Sequence, residues 1–425
     1  MKESSRSLAL AALRRWRLKA EFADQVVAQA FGRSSLSAVD RAFALELFYG
    51  ALRNLTLLDF WIDQLRPERA NPRVRDILRL GLYQIMLIET AAHAAVFETV
   101  ELARPRVRPL VNAILRRALR EKAALYKSAE EQRLHLQFSE PGFLVAKWTR
   151  QFGGEAALEL CRWNNRPAPV YARINQLKTT AAEFLHRYPG SFLLPGNTNF
   201  ASVPEPAAAL ERGDCYIQDP STAIACELLR PAPGEMVLDA CAAPGGKTAY
   251  LAEMMANEGT LAACDQDATR LERLRLNLVR LGVANARIVR CDWRDANSVQ
   301  VAGFADHSFD KILVDAPCTN TGVMRRRIDV RWRLRPEDFS RMQRQQIAIL
   351  GTVAPLLKPG GSLVYSTCSL EPEENERVVA AFVRDHPAFR LTNHEQCLPF
   401  RNTFDGAFAA RLESASLHRR HAMES

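Results

Sequence analysis

The chain has 425 residues, which is too long for one ordinary hydrophobic core, so we expect two or three domains. Hydrophobic residues make up 48% of the chain and charged residues 25%, proportions that are ordinary for a soluble globular protein. No segment approaches the length of about 18 uncharged apolar residues that a membrane-spanning helix needs, so no membrane span is expected.

The net charge of +9 is concentrated near the start of the sequence. Residues 1–125 contain 21 Lys and Arg against 13 Asp and Glu, a net charge of +8, whereas residues 126–425 contain 36 against 35. An excess of positive charge in one region indicates a polyanionic partner there. The alternative is a basic surface that only faces solvent.

Nine cysteines are present and none forms a Cys-x-x-Cys pair, so the sequence does not favour a structural zinc site. Their number is odd, and the apolar patch from Leu8 to Leu13 is too short for the core of a secretory signal. We therefore expect reduced thiols in a cytoplasmic protein.

Residues 1–125 carry apolar side chains at helical spacing and show no strand alternation. The apolar stripes include Leu57 to Leu65, and Pro72 fits a helix start. This pattern predicts an all-α bundle of five to seven helices, with the leucine and aromatic side chains in its core.

The pattern is mixed between residues 126 and 230. Pro167 to Ile174 alternates like a β-strand, and Cys215 to Ser221 follows a charged turn. We expect a linker with a small α+β subdomain in this region. Pro231-Ala232-Pro233-Gly234 marks the turn at its end.

Strand-like and helix-like segments alternate from residue 231 to residue 425, which predicts a Rossmann-like α/β domain with a doubly wound, mostly parallel sheet. A helix is expected from Glu373 to Arg384, because Pro372 suits a helix start. In such folds ligands bind at the carboxyl ends of the strands. The expected strands are residues 236–238, 261–264, 286–289, 311–314, 362–365 and 407–412.

The first of these strands leads into Asp239 and then into a loop with two glycines, Gly245 and Gly246. The Walker pattern requires glycine where Cys241 stands, and the dinucleotide pattern Gly-x-Gly-x-x-Gly is also absent. Neither ATP nor NAD is therefore favoured. The two glycines instead let backbone amides approach a ligand carboxylate.

Two further acids, Asp265 and Asp292, follow the next two strands. An acid about 20 residues beyond a glycine loop suits a ribose diol, and Asp292 would accept a hydrogen bond from an adenine amine. A carboxylate, a diol and an adenine together fit S-adenosylmethionine. The alternative is that both acids only cap helices.

Two cysteine segments complete the pattern, Asp315-Ala316-Pro317-Cys318 and Ser366-Thr367-Cys368-Ser369. Together with the loop of residues 239–248, they resemble the RNA cytosine-5 methyltransferases of the RsmB/Sun type. Residues 405–412 also match this family, apart from Ala407, which replaces a customary phenylalanine.

A second resemblance lies in the helical region. His93-Ala94-Ala95-Val96 and the segment of residues 111–117 are similar to the NusB family of RNA-binding bundles. Phe97 departs from the small or polar residue that is usual there.

The RsmB/Sun resemblance implies that the thiolate of Cys368 adds to carbon 6 of a cytosine and that Cys318 assists release. DNA cytosine methyltransferases use the Pro-Cys thiol as the nucleophile instead, so spacing alone leaves the two roles open. The implied cofactor contacts are Cys241, Ala242, Ala243, Pro244, Gly245, Gly246, Lys247, Asp265, Asp292 and Asp315. The cysteines expected only to pack are Cys161, Cys215, Cys226 and Cys397.

The chain continues from Cys318 into three arginines, Arg325 to Arg327, which we expect to contact RNA phosphates. Family members usually carry His-Pro where this chain has Arg327-Ile328, a departure that affects the loop and the substrate fit. Solvated charges at a helix N-terminus are expected at Glu371, Glu373, Glu374 and Glu376.

The leading hypothesis is an S-adenosylmethionine-dependent methyltransferase that modifies one cytosine of 16S (small-subunit) ribosomal RNA. Residues 1–125 would dock the RNA, residues 126–230 would form the linker and small subdomain, and residues 231–425 would catalyse the reaction. The alternatives are a transfer-RNA cytosine-5 methyltransferase and a non-catalytic, antitermination-like RNA-binding protein. We expect a monomer that needs neither a metal ion nor a membrane.

Overall fold

The computed structural model describes residues 3–18, 21–66, 68 and 71–415. The chain forms two compact units. The helical unit comprises Met1–Pro167 and Met324–Arg333, and the sheet unit comprises Ala168–Val323 and Leu334–Ser425. The predicted boundaries of the functional domains, at residues 125 and 230, stay predictions.

The bounds of the α-helices and β-strands in the described residues are as follows. The α-helices are α1 (Ser5–Arg17), α2 (Ala23–Phe31), α3 (Ala38–Arg53), α4 (Leu55–Leu65), α5 (Pro72–Leu82), α6 (Ala92–Glu101), α7 (Arg108–Arg120), α8 (Lys122–Glu130), α9 (Leu134–Gln137), α10 (Gly142–Phe152), α11 (Gly154–Asn165), α12 (Ala181–Arg187), α13 (Ala207–Arg212), α14 (Ile224–Leu229), α15 (Gly246–Met254), α16 (Ala268–Leu281), α17 (Ala296–Ala302), α18 (Pro336–Val353), α19 (Glu376–Asp385) and α20 (Pro399–Asn402). The strands are β1 (Tyr171–Ile174), β2 (Phe192–Leu194), β3 (Asn197–Ser202), β4 (Cys215–Ile217), β5 (Met236–Asp239), β6 (Thr260–Asp265), β7 (Ala286–Arg290), β8 (Phe309–Asp315), β9 (Leu357–Thr367), β10 (Phe389–Cys397) and β11 (Ala407–Ser414).

Local signals and buried apolar faces together produce the helical unit. The Ser4 hydroxyl accepts a hydrogen bond from the backbone N–H of Ser7, and the Ser7 hydroxyl accepts one from Ser4, which begins α1 with a capping box. Pro72 is the first residue of α5, as predicted. Leu13 and Trp61 are fully buried in the core. The predicted all-α bundle is therefore confirmed.

Residues Met324–Arg333 belong to the helical unit, although both of their flanking segments belong to the sheet unit. Ile328 packs into the core of the helical unit. The Arg331 side chain is completely buried there, with Nη2 3.3 Å from the Glu140 carboxylate and 3.1 Å from the carbonyl oxygen of Asn164. This segment is thus held by a buried ion pair with additional hydrogen bonds.

The sheet unit contains two sheets. The smaller one has the order β2-β3-β1-β4, and all of its pairs are antiparallel. Together with α12 and α13 it forms the small α+β insert that the sequence predicts.

The larger sheet has the order β10-β11-β9-β8-β5-β6-β7 in the described part of the chain. Strands β7, β6, β5, β8 and β9 are parallel, while β11 and β10 are antiparallel additions at one edge. The predicted mostly parallel sheet is confirmed. Strand β10 was not predicted, and the helix expected at Pro372 begins only at Glu376. Among the described residues, no helix is both long enough and apolar enough to cross a membrane.

We predict that Arg331→Ala lowers the free energy of unfolding by about 3–5 kcal/mol, because it leaves the buried Glu140 carboxylate without its counter-charge. Urea unfolding followed by circular dichroism measures the change. Arg327→Ala is the matched control, since this exposed arginine of the same segment should matter by no more than about 0.5 kcal/mol. Equal stabilities of the two variants would contradict the prediction.

Candidate active site

Five neighbouring parallel strands, β9, β8, β5, β6 and β7, bring the predicted site residues to one edge of the larger sheet. Strands β5, β6 and β8 end at Asp239, Asp265 and Asp315, and β9 ends beside them. Asp315 lies opposite Ser366 in the register of β8 and β9, so the loops that carry the two cysteines begin side by side. The carboxyl ends of parallel strands are where such folds bind ligands.

The loop between β5 and α15 has a backbone that only glycine suits. Gly245 has φ of +107°, and a Cβ atom on Gly246 would come within 2.7 Å of the Tyr216 ring. Helix α15 begins at Gly246, so its first backbone N–H groups have no partner within the helix. These donors at a helix N-terminus suit a carboxylate ligand.

Two contacts of Asp315 link the glycine loop to the strands that lead into the two cysteine loops. The Lys247 ammonium donates to Asp315 Oδ2 at 2.8 Å, and the Ser366 hydroxyl donates to Asp315 Oδ1 at 2.8 Å. Burial opposes the charge on Lys247, but the Asp315 carboxylate outweighs it and raises the lysine pKa. The Asp315 carboxylate is therefore fixed on both oxygens.

Asp265 is buried at the end of β6, with only 4% of its surface exposed. Its Oδ1 accepts from the backbone N–H of Asp267 at 3.1 Å, and its Oδ2 lies 3.3 Å from the guanidinium of Arg270. The cap of α16 is Asp267, whose side chain accepts from the Arg270 N–H at 2.8 Å. Capping a helix therefore does not account for Asp265.

Asp292 follows β7 and is held by a neighbouring arginine. Its two oxygens accept from Arg294 Nε at 2.9 Å and Nη2 at 2.8 Å, which lowers the pKa of Asp292. The side chain that caps α17 is Asp295. Asp292 is thus an ionised hydrogen-bond acceptor, and it follows the strand next to the one that ends at Asp265.

Asp239, the last residue of β5, is a further candidate for cofactor binding, although the sequence patterns assign it no role. The residue is completely buried, and its Oδ2 accepts from the Thr248 hydroxyl at 2.7 Å. Its Oδ1 has no hydrogen-bond partner among the residues that the structure describes. Burial raises the pKa of Asp239 to about 7. A buried acceptor with a free oxygen suits a cationic ligand group.

The two predicted catalytic cysteines meet. Cys318 Sγ and Cys368 Sγ are 3.3 Å apart, and both residues are half-buried. The hydrogen bond with Cys368, together with burial, raises the pKa of Cys318. The pair is therefore close enough to share protons and accessible enough to meet a substrate.

Asn320 joins the two cysteine loops and was not identified from the sequence. The Cys368 thiol donates to Asn320 Oδ1 at 3.1 Å, and Asn320 Nδ2 donates to the Cys318 carbonyl oxygen at 2.9 Å. Its backbone has φ of +61°, a left-handed conformation that asparagine tolerates better than most residues. The nearby Gly322 N–H donates to the Cys368 carbonyl oxygen at 2.9 Å.

Glu374 was expected to be a solvated charge, and this prediction is wrong for Glu374 and for Glu371, because both are completely buried. Glu374 Oε2 accepts from the backbone N–H of Thr319 at 2.9 Å, and Oε1 accepts from the Ser369 hydroxyl at 2.9 Å. The Thr319 hydroxyl donates to the same carboxylate. Glu374 therefore links Thr319 and Ser369, the residues that directly follow the two cysteines.

The prediction that three consecutive arginines contact RNA phosphates is wrong for Arg325. Its guanidinium lies 3.8 Å from the centre of the Trp163 ring within the helical unit, and only 4% of the residue is exposed. Arg326 is half-buried and Arg327 is exposed. Of the three, Arg327 alone presents an exposed side chain.

The remaining cysteines agree with their predicted packing role, since Cys161, Cys215, Cys226 and Cys397 are all buried. No group of three or more His, Cys, Asp or Glu side chains suited to a metal ion occurs in the described part of the chain.

Comparison with known families gives three matches along the chain. Residues 226–413 match the model for 16S rRNA methyltransferase RsmB/F, and residues 3–120 match the NusB family. Residues 140–188 match the ferredoxin-like domain of RsmF/B-like methyltransferases.

Individual relatives extend over almost the whole sequence. The probable ribosomal RNA small subunit methyltransferase B of Bacillus subtilis is 34% identical over 408 residues, which cover 91% of this chain and 90% of that protein. The ribosomal RNA small subunit methyltransferase B of Yersinia pseudotuberculosis is 35% identical over 409 residues, 89% of this chain and 92% of that protein. A crystal structure of a methyltransferase homologue from Pyrococcus horikoshii shares 32% identity with a TM-score of 0.56, covering 64% of this chain and 94% of that one. The chain belongs to the RsmB/F family of 16S rRNA methyltransferases.

Proposed function

We propose that the protein transfers a methyl group from S-adenosylmethionine to carbon 5 of a cytosine in 16S ribosomal RNA, through a covalent cysteine adduct. The observation that carries the proposal is the pair of thiols, Cys318 and Cys368, 3.3 Å apart at the carboxyl ends of two adjacent parallel strands. A glycine loop and three strand-end aspartates lie along the same edge of the sheet.

The residues along this edge fit S-adenosylmethionine. The N-terminus of α15 would hold its carboxylate, and the unpartnered Oδ1 of Asp239 would accept from its ammonium. Asp265 would accept from the ribose hydroxyls and Asp292 from the adenine amine. When bound, the cofactor supplies an electrophilic methyl group on a sulfonium.

Carbon 5 of cytosine is a poor nucleophile until a thiolate adds to carbon 6. We assign this addition to Cys368, which forms a sulfur–carbon bond and makes carbon 5 electron-rich. Once carbon 5 is methylated, it must lose its proton before the bond to Cys368 can break. Cys318, as a thiolate that has already given its own proton to solvent, would accept that proton, since its sulfur lies 3.3 Å from that of Cys368. The electron pair of the broken carbon–hydrogen bond restores the double bond of the ring, and Cys368 leaves as a thiolate. The raised pKa of Cys318 suits a proton carrier better than a resting nucleophile.

Asn320 would act as a positioning residue for this pair. It orients the Cys368 thiol from one side, while its own amide is fixed on the Cys318 carbonyl. Lys247 and Ser366 would hold the Asp315 side chain in place beside the cytosine or the cofactor.

Ribosomal RNA is the proposed substrate because the relatives of this chain are named as small-subunit ribosomal RNA methyltransferases. The net charge of +8 on residues 1–125 supports docking of a polyanion by the helical unit. The transfer-RNA alternative keeps the same chemistry. The non-catalytic alternative has less support, because the two thiols are intact and close together.

Bisulfite sequencing of ribosomal and transfer RNA, from the source strain with and without the gene, tests the proposal. Loss of one 5-methylcytosine from 16S ribosomal RNA is the expected result. Loss from a transfer RNA would favour the first alternative, and no loss would favour the non-catalytic protein.

We predict that removing each thiol stops the reaction at a different step. Cys368→Ala should abolish methylation and form no covalent complex, because it removes the sulfur that adds to carbon 6. Cys318→Ala should still allow attack and methyl transfer but slow elimination, so a protein–RNA complex should persist on denaturing gels. Trapping by Cys368→Ala but not by Cys318→Ala would reverse the two roles and indicate the DNA-methyltransferase arrangement.

We predict that affinity for S-adenosylmethionine rises as the pH rises towards 7, because Asp239, with a pKa raised to about 7, must ionise to bind an ammonium. The slope should reach about tenfold per pH unit below that value. The same raised pKa favours the folded state at low pH, so this contribution to stability should be lost as pH rises through about 7.

Calorimetric titrations and urea unfolding across this pH range measure both effects. Asp239→Asn should flatten both pH dependences relative to the unmodified protein. An unchanged pH slope of cofactor affinity in Asp239→Asn would contradict the assignment.

A further inference from the structure

A groove in the helical unit has no part in the proposed chemistry. It lies between α6 and α7 and has a volume of about 290 Å³. This is near the lower limit of small-molecule pockets, which hold about 300–1,000 Å³. Its lining residues are Ala92, His93, Val96, Phe97, Val100, Asn112, Arg116 and Leu119.

Two exposed aromatic rings lie side by side on the α6 wall of this groove. His93 and Phe97 are one helical turn apart, with ring centroids 6.3 Å from each other and planes inclined by only 7°. Phe97 has 58% of its surface exposed. Exposed flat rings are the surfaces on which single-stranded nucleic acids stack their bases.

The α7 wall supplies polar groups. Asn112 and Arg116 are also one turn apart, and Arg116 Nε donates to Asn112 Oδ1 at 3.1 Å. Among the described residues that line the groove there is one guanidinium and no carboxylate. The wider region of residues 1–125 has a net charge of +8. Charge therefore favours a polyanion over an acidic or neutral peptide in this groove.

We propose that the α6–α7 groove binds one unstacked base of single-stranded RNA. The base stacks on Phe97 and His93, the Asn112 amide bonds to the base edge, and Arg116 pairs with the adjoining phosphate. This inference rests on the proposed function, since it assigns part of the docking of the RNA substrate to one groove. It also gives Phe97, a departure from the usual NusB-like pattern, a function of its own.

Fluorescence anisotropy with the full-length protein tests the proposal, with a short fluorescein-labelled oligoadenylate and a fully paired, blunt-ended RNA duplex as probes. Phe97→Ala should weaken oligoadenylate binding roughly tenfold and leave duplex binding unchanged, because only the unpaired strand can stack a base. Phe97→Tyr should retain binding. Arg116→Gln should reduce the slope of log affinity against log salt by about 0.7, the value for one phosphate contact on a single strand.

Val39→Ala is the matched control, because Val39 is an apolar residue of the same unit, 79% exposed and outside the groove. Unchanged oligoadenylate binding by Phe97→Ala would overturn the proposal, as would an equal loss for both probes. Sedimentation that shows a dimer abolished by Phe97→Ala would also overturn it, since the occupant would then be a second copy.

The binding assay contains no cofactor and requires no turnover. Failure to detect methylation would therefore leave its result intact, and failure of base stacking would leave the assignment of the two thiols intact.

Discussion

The buried carboxylate of Glu374 is the interaction on which the arrangement of the two thiols depends. It accepts hydrogen bonds from Thr319 and Ser369, the residues that directly follow the two cysteines, and from the side-chain amide of Gln346 on α18 at 3.1 Å. Burial raises the pKa of Glu374, and these hydrogen bonds oppose the rise. Parallel pairing places the loops side by side, and this shared acceptor fixes both loops at the positions next to the sulfurs. Without it, several buried donors would lose their partner at once.

A second constraint follows from chain connectivity. The segment after the Cys318 loop, Met324–Arg333, folds with the helical unit and is held there by the buried pair of Arg331 and Glu140. Removal of residues 1–125 would remove most of the hydrophobic core against which Ile328 packs. Loss of activity in such a truncated protein would therefore report damage to this segment as well as lost RNA docking. Substitutions of exposed side chains, such as Phe97, separate the two effects because they leave the core in place.

Sequence patterns predict the parallel sheet and the strand ends, because each depends on local periodicity and on the geometry of parallel strands. The family resemblance, not the periodicity, identifies the two cysteines as a catalytic pair. The sequence patterns fail at Glu374, since glutamates near a predicted helix start resemble solvated charges, whereas the helix begins only at Glu376. They also fail at Arg325, whose partner Trp163 is remote in sequence. Strand β10 was missed because most of its residues are exposed and it lacks apolar alternation.

The hydrogen-bond directions around the thiols assign one proton to each sulfur. Cys368 uses its single S–H to donate to Asn320 Oδ1, an orientation that follows from Asn320 Nδ2 donating to the Cys318 carbonyl. The contact between the sulfurs must then be donated by Cys318, whose S–H points at Cys368. Donation to Cys368 holds the proton of Cys318 more tightly, which agrees with the raised pKa of Cys318. The resting geometry thus already distinguishes the two chemically identical thiols, one as the sulfur that receives a hydrogen bond and the other as the sulfur that donates it.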